Sequence, residues 1–183
     1  LGLSYRTDGS SRLARENRWG SFWSVSGAWR FIDESFLNPV KNVLTDGKLR
    51  VSYGVNGTQP SDYYAYMNLY KYGIIYNGQS GMSIVGIANP DLKWEKNKTW
   101  NIGLDLSFID RISVTFDYYQ RKTSDLIYDL PVSQVGGYYD GNYGYTTPQN
   151  IGSLKNSGFE LTITSTNFRN KDFTWTTSLN MAH

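Results

Sequence analysis

Trp100-Asn101-Ile102-Gly103-Leu104-Asp105-Leu106-Ser107-Phe108, then Ile109-Asp110-Arg111, then Ile112-Ser113-Val114-Thr115-Phe116-Asp117-Tyr118, is the stretch that decides the fold. On both sides of the three-residue break, large apolar residues alternate with polar ones or Gly. Successive side chains on a strand point to opposite faces, so each run reads as a strand with one apolar face. The brevity of the break makes the pair an antiparallel hairpin with a tight turn.

The same template recurs along the chain. Trp23, Val25, Gly27, Trp29 and Phe31 alternate with Ser24, Ser26, Ala28 and Arg30, and Leu49, Val51, Tyr53 and Val55 alternate with Arg50, Ser52, Gly54 and Asn56. Near the end, Phe159, Leu161 and Ile163 alternate with polar residues, as do Trp175, Leu179 and Met181 beyond a turn at Asn167 to Asp172. With Leu1 to Arg6, these runs predict seven strands. Helical periodicity is nearly absent.

Connection lengths carry the next step. Ile109 to Arg111 and Asn167 to Asp172 are short, Asp33 to Gly47 is moderate, and Pro60 to Asn97 and Leu130 to Ser157 are long. In a meander of alternating strands this puts both long loops at one end and the short turns at the other, as in membrane barrels. The expected fold class is therefore all-β: an antiparallel up-and-down meander of about seven strands forming part of a larger transmembrane barrel. The polar faces support this, because they carry Ser, Thr, Asn, Gly and Asp with an occasional Arg, a set suited to a hydrated lumen. A soluble β-sandwich with sugar-binding loops is the alternative, and it predicts an apolar face sealed between two sheets. Seven strands cannot close an even-numbered barrel, so the isolated segment would have two open edges and is expected not to fold stably alone.

Composition narrows the function. The net charge of +2 comes from scattered residues, the densest cluster being Arg12, Arg15 and Arg18, so no basic stripe marks a nucleic-acid partner. With no Cys and a single His, His183, the chain has no material for disulfides, thiolate zinc sites or Ser-His-Asp catalysis. No cofactor site is expected, and the chain reads as no enzyme. Asp33 and Glu34 point to opposite faces if extended and read as a solvated turn, and Asp140-Gly141-Asn142 reads as a β-turn rather than a calcium loop. The mean hydropathy of −0.48 does not count against a barrel, whose strands are only half apolar. An aromatic content of 16% with 15 Tyr and 6 Trp favours interfaces, and Trp19, Trp23 and Trp100 near strand ends read as girdle residues. Asn89-Pro90-Asp91-Leu92-Lys93-Trp94 reads as an ordered turn feeding a strand, with Asp91 bonding back to the chain, while Gly103, Gly152 and Gly158 read as bulges or close backbone approaches.

Several phrases, in order, resemble the barrel half of SusC/RagA-type TonB-dependent outer-membrane transporters. They include Tyr5-Arg6-Thr7-Asp8-Gly9-Ser10-Ser11-Arg12, Asn17-Arg18-Trp19-Gly20, Leu49-Arg50-Val51-Ser52-Tyr53-Gly54-Val55-Asn56-Gly57, Asn89-Pro90-Asp91-Leu92-Lys93-Trp94-Glu95-Lys96, Lys122-Thr123-Ser124-Asp125-Leu126-Ile127 and Asn150-Ile151-Gly152-Ser153-Leu154-Lys155-Asn156-Ser157-Gly158-Phe159-Glu160-Leu161. The resemblance spans essentially the whole chain, residues 1–183. It implies a barrel of about 22 strands around a plug in the outer membrane of a Gram-negative bacterium. It further implies import of oligosaccharides or peptides, energy from the TonB complex, and a SusD-like surface lipoprotein over the mouth. Plug and N-terminal domains are not recognisable here, so contact with TonB is expected through a region outside this sequence. Leu1 and His183 read as internal points of a longer chain. A passive porin is the other reading of the same strands.

The two long loops hold the candidate substrate contacts, Tyr63, Tyr64, Tyr66, Tyr138, Tyr139 and Tyr143, among neighbours Tyr70, Tyr72, Tyr76 and Tyr145. Sugar rings stack their C–H faces on aromatic planes while Asn, Asp and Gln take the hydroxyls. The competing reading is that these rings pack loop against loop or meet the lipoprotein.

Overall fold

The computed structural model describes residues 1–133 and 146–183. Seven strands form one antiparallel sheet: β1 (Gly2–Gly9), β2 (Trp19–Trp29), β3 (Leu44–Thr58), β6 (Glu95–Phe108), β7 (Ile112–Ser124), β10 (Ser153–Arg169) and β11 (Thr174–Ala182). Each pairs with its sequential neighbour in the sheet, the order being β1-β2-β3-β6-β7-β10-β11, which is the expected meander. Two further strand pairs belong to the long connections, the hairpin of β4 (Leu69–Tyr76) with β5 (Gln79–Gly86) and the pairing of β8 (Ile127–Pro131), which starts just ahead of its connection, with β9 (Thr146–Asn150). These add strands to connections read only as long loops, and Tyr70, Tyr72 and Tyr76 stand on β4. Asn77 and Gly78 turn its hairpin with φ of 49° and 74°, the left-handed pair that Asn-Gly adopts readily.

Register converts alternation into two faces. Val25, Tyr53 and Trp100 lie in one row across β2, β3 and β6, and Leu104, Phe116, Leu161 and Met181 lie in another across β6, β7, β10 and β11. One face of the sheet is therefore apolar across its middle rows, and no second sheet covers it among the described residues: Trp29 is 49% exposed, Val51 46% and Leu179 58%. The sandwich expectation, which needs these residues buried, fails. Rings collect toward both ends of this face. Trp23 meets Tyr53 and Trp100 meets Tyr118, each with centroids 5.3 Å apart, while Trp29–Phe31 and Phe168–Phe173 lie at the other end. Aromatic girdles of a membrane wall would stand in two such bands, and Trp23 and Trp100 lie in one of them. Trp19 stands beyond them, 68% exposed, with its ring over Gly9.

The turn ends behave as the meander requires. At the short-turn end the Arg111 amide donates to the Phe108 carbonyl, with Ile109 and Asp110 both left-handed at φ 51° and 52°. The Ile109 amide donates to Val43, and that of Thr166 to Arg111, so three turns adjoin there. A β-bulge at Asn167 interrupts the β10–β11 register between Thr166 and Phe168 and keeps Phe168 opposite Trp175. Between β2 and β3, two 3-10 turns at Phe31–Asp33 and Ser35–Val40 bury Ile32.

Buried apolar residues concentrate at the long-loop end. Leu13 and Leu92 are fully buried there, and Phe22 is buried with its ring edge-on to Trp94 at 5.4 Å. Pairing of β2 with β3 stops at Trp23–Val55, and Phe22 and Trp94 fill the space beyond. Gly57 passes so close that a Cβ there would collide with the Phe22 ring.

Candidate functional site

Two polar constructions stand out, one on the face opposite the apolar wall and one at the long-loop end. On the polar face Arg50 of β3, Gly103 of β6 and Asp117 of β7 share one row. The Arg50 guanidinium holds Asp105 in a two-pronged bond, Nε to Oδ2 at 2.8 Å and Nη2 to Oδ1 at 3.0 Å, and its Nη2 reaches Asp117 Oδ1 at 3.0 Å. An arginine spanning a whole strand needs that strand to carry no side chain in between. Gly103 supplies the gap, since a Cβ there would lie 2.5 Å from Asp117 Oδ1 and 2.6 Å from Arg50 Cζ. This bears out the reading of Gly103 as a close approach. Gly158 is another, packed against the Tyr119 hydroxyl, while Gly152 serves through its φ of 77°.

The same face carries a ladder of small polar groups. Ser4 and Ser24 hydroxyls meet at 2.7 Å, Asn101 donates to Ser52 at 3.3 Å, and Thr162 donates to Asn180 at 3.0 Å. Nearer the loops, buried Asn97 accepts from Thr123 at 2.7 Å and Arg121 at 3.0 Å through Oδ1 and donates to Thr58 at 3.0 Å. A concave stretch beside the arginine is lined by Ser26, Arg50, Ser52, Asn101 and Asp117. Such a surface offers hydrogen bonds to a hydrated solute or to a polar partner, and no nucleophile poised by a base.

At the loop end, side-chain amides and guanidinium groups tie backbone to backbone. Asn89 Nδ2 donates to the Pro148 carbonyl at 2.6 Å, joining the two long connections. Asn150 accepts from the Lys93 amide at 2.8 Å and donates back to the Lys93 carbonyl at 2.9 Å, as a strand neighbour would. Lys93 Nζ lies 3.4 Å from Asp125. Arg12 binds the Pro60 and Ser61 carbonyls at 2.8 and 2.7 Å, and Asn17 binds the Pro90 carbonyl at 3.1 Å. The two long connections thus lie at one end, as parity demanded. Asn89 to Trp94 forms the expected ordered turn, but the bonding side chain is Asn89, which accepts from the Asp91 amide at 3.2 Å, rather than Asp91.

The candidate tyrosines are placed by this scaffold. The Arg12 guanidinium sits over the Tyr63 ring at 4.2 Å, and Tyr64, left-handed at φ 63°, has its ring 6.4 Å from Tyr63. Tyr63 lines a cleft with Asp62, Met67, Asp129 and Pro148, so residues from both long connections shape it. Tyr66 is half-buried nearby in sequence. Tyr138, Tyr139, Tyr143 and Tyr145, with Asp140-Gly141-Asn142, lie outside the described residues. The amide ties and the arginine bridge were not foreseen. The alternation marked Arg50, Asp105 and Asp117 as charges on polar faces, but joining them needs the register.

Comparison with known proteins agrees with this geometry. Residues 1–182 match the family "TonB dependent receptor-like, beta-barrel". The chain is 41% identical over 98% of its length to the TonB-dependent receptor SusC of Bacteroides thetaiotaomicron, covering 18% of that protein. It is 37% identical over 98% of its length to the TonB-dependent receptor P39 of Formosa agariphila, covering 17%. Among solved structures, the RagAB peptide importer in its open-open state superposes with a TM-score of 0.83 at 32% identity, over 98% of this chain and 19% of that one. The chain thus spans roughly a fifth of the length of the relatives it matches. It belongs to the TonB-dependent receptor family and is built as a stretch of the barrel wall with which such receptors cross the outer membrane.

Proposed function

We propose that this segment forms part of the wall of an outer-membrane importer that takes up oligosaccharides or peptides, drawing energy from the TonB complex and working with a SusD-like surface lipoprotein. The observation that supports this most is its 41% identity to SusC across nearly the whole segment. The apolar face then meets outer-membrane lipid and the polar face, with its Arg50 bridge, meets the hydrated interior. The wall itself catalyses nothing and serves as part of a transporter, not of an enzyme.

Within this reading, Tyr63, Tyr64 and Tyr66 are substrate contacts at the mouth, together with Tyr138, Tyr139 and Tyr143. The cleft beside Tyr63 supports that role, because ring faces and the carboxylates of Asp62 and Asp129 meet there. The test uses the full-length protein in its own outer membrane. Uptake of a labelled oligosaccharide panel and a labelled peptide panel is compared with and without TonB. Uptake of one class that stops without TonB is the expected result, and uptake that persists unchanged without TonB would mean a passive pore. Tyr63→Ala and Tyr64→Ala should raise the half-saturating substrate concentration several-fold, and no change for either would remove them from the site.

A further inference from the structure

The outward face carries a feature that the proposed function leaves unexplained. Beyond the row Tyr53, Trp100, Gln120 and Ser157, the next outward row toward the loops is Val55, Lys98, Lys122 and Lys155. Three lysines therefore stand directly opposite one another on β6, β7 and β10. The following row is Gly57, Lys96, Ser124 and Ser153, which adds a fourth. All four lysines are exposed, and none takes part in an ion pair among the described residues. None of these three rows contains a carboxylate.

Like charges facing each other across neighbouring strands repel, and a sheet normally avoids them. Strands lie about 4.8 Å apart, so the three ammonium groups of one row share a span of roughly 10 Å. Their depth is fixed by the girdle. Lys98 is two residues from Trp100, roughly 7 Å along the strand, which places the row just outside the apolar band on the loop side. Lipid headgroups lie at that level. Glu16 lines a cleft with Lys96, but no carboxylate stands in the rows of Lys98, Lys122 and Lys155 among the described residues, which leaves the acidic headgroups of the membrane as their partners.

We infer that Lys98, Lys122, Lys155 and Lys96 form a binding site for the phosphorylated headgroup of a lipid in the leaflet on the loop side of the membrane. The alkyl stems lie along the wall while the ammonium groups rise to the phosphates, and Trp100 and Tyr118 border the first acyl chain. The site rests on the outward face being the lipid face, and not on what the barrel carries.

The test uses the full-length barrel purified in detergent and a phosphorylated lipid A as probe, with dephosphorylated lipid A as the second arm. Wild type should bind the phosphorylated form far more tightly than the dephosphorylated one. The triple variant Lys98→Gln, Lys122→Gln, Lys155→Gln should bind it roughly a hundred-fold more weakly, at roughly five-fold per charge. The matching Lys→Arg variant should restore binding, and Lys171→Gln in the turn after β10 should leave it unchanged. All variants are first matched to wild type by gel mobility of the folded barrel. Equal affinity of wild type for both lipids would overturn the inference, as would a triple variant that binds like wild type. A triple variant that keeps the lipid but loses a copurifying protein would assign the row to that protein instead, and overturn it too.

Discussion

Replacing Gly103 by Ala should have opposite effects on stability depending on residue 50. In the native chain the added Cβ would sit 2.5 Å from Asp117 Oδ1 and 2.6 Å from both Arg50 Cζ and Nη2. These are ends of flexible side chains, so the backbone need not move, but the arginine must leave Asp117 and tilt away from Asp105. The three side chains are 37%, 29% and 32% exposed, which places the bridge between a surface pair and a buried one. Losing one charged hydrogen bond and weakening two more then costs about 2 kcal/mol. Replacing Gly by Ala inside a strand returns about 0.5–1 kcal/mol through backbone entropy. The net effect of Gly103→Ala is a loss of about 1 kcal/mol. In an Arg50→Ala background the bridge is already gone, and the same substitution should stabilise by about 0.5–1 kcal/mol. The assay is the urea midpoint of the full-length barrel in bilayers, read by gel mobility and Trp fluorescence for the wild type, both single variants and the double. The same sign for Gly103→Ala in both backgrounds would refute the strand-spanning bridge.

Leu92→Ala should destabilise the loop-end core by about 2–4 kcal/mol, because a fully buried leucine leaves a cavity when truncated. Faster hydrogen exchange confined to Ser10–Arg18 and Asn89–Trp94 is the expected reading, and unchanged exchange would count against a shared core. Ile109→Asn should stabilise by about 1 kcal/mol, since a β-branched residue at φ 51° is strained and Asn tolerates that conformation. A lower urea midpoint for this variant would show that the turn prefers Ile for its contacts.

The wall was legible in the sequence because period-two alternation in Trp100 to Tyr118 survives any tertiary context that wets one face only. Parity and connection length then placed the loops without a structure. The β4–β5 hairpin was also written there, in Asn77-Gly78 between two short apolar runs, but the tyrosines around it drew the reading toward a binding loop. β8 and β9 left a weaker trace, since Pro131 and Pro148 break their alternation and the strands are remote in sequence. The Arg50 bridge and the Lys98–Lys122–Lys155 row were out of reach for a different reason. Alternation assigns a face, but only register assigns a neighbour: the tight turn sets β6 against β7, whereas the registers of β3 with β6 and of β7 with β10 are set across the long connections. The tyrosines stay harder still, because an exposed ring over Arg12 looks the same whether it packs a loop or awaits a sugar.

Single cysteines along β6, in a chain that has none, test the lipid-facing wall most directly. Spin labels at Ile102, Leu104 and Leu106, and at Asn101, Asp105 and Ser107, are placed one at a time in the full-length protein in bilayers. Collision with oxygen, which concentrates in lipid, is compared with collision with a water-soluble nickel chelate. The first set should favour oxygen and the second the chelate, alternating at every residue. Labels at 102, 104 and 106 that are shielded from both reagents, or reached mainly by the chelate, would contradict a membrane wall.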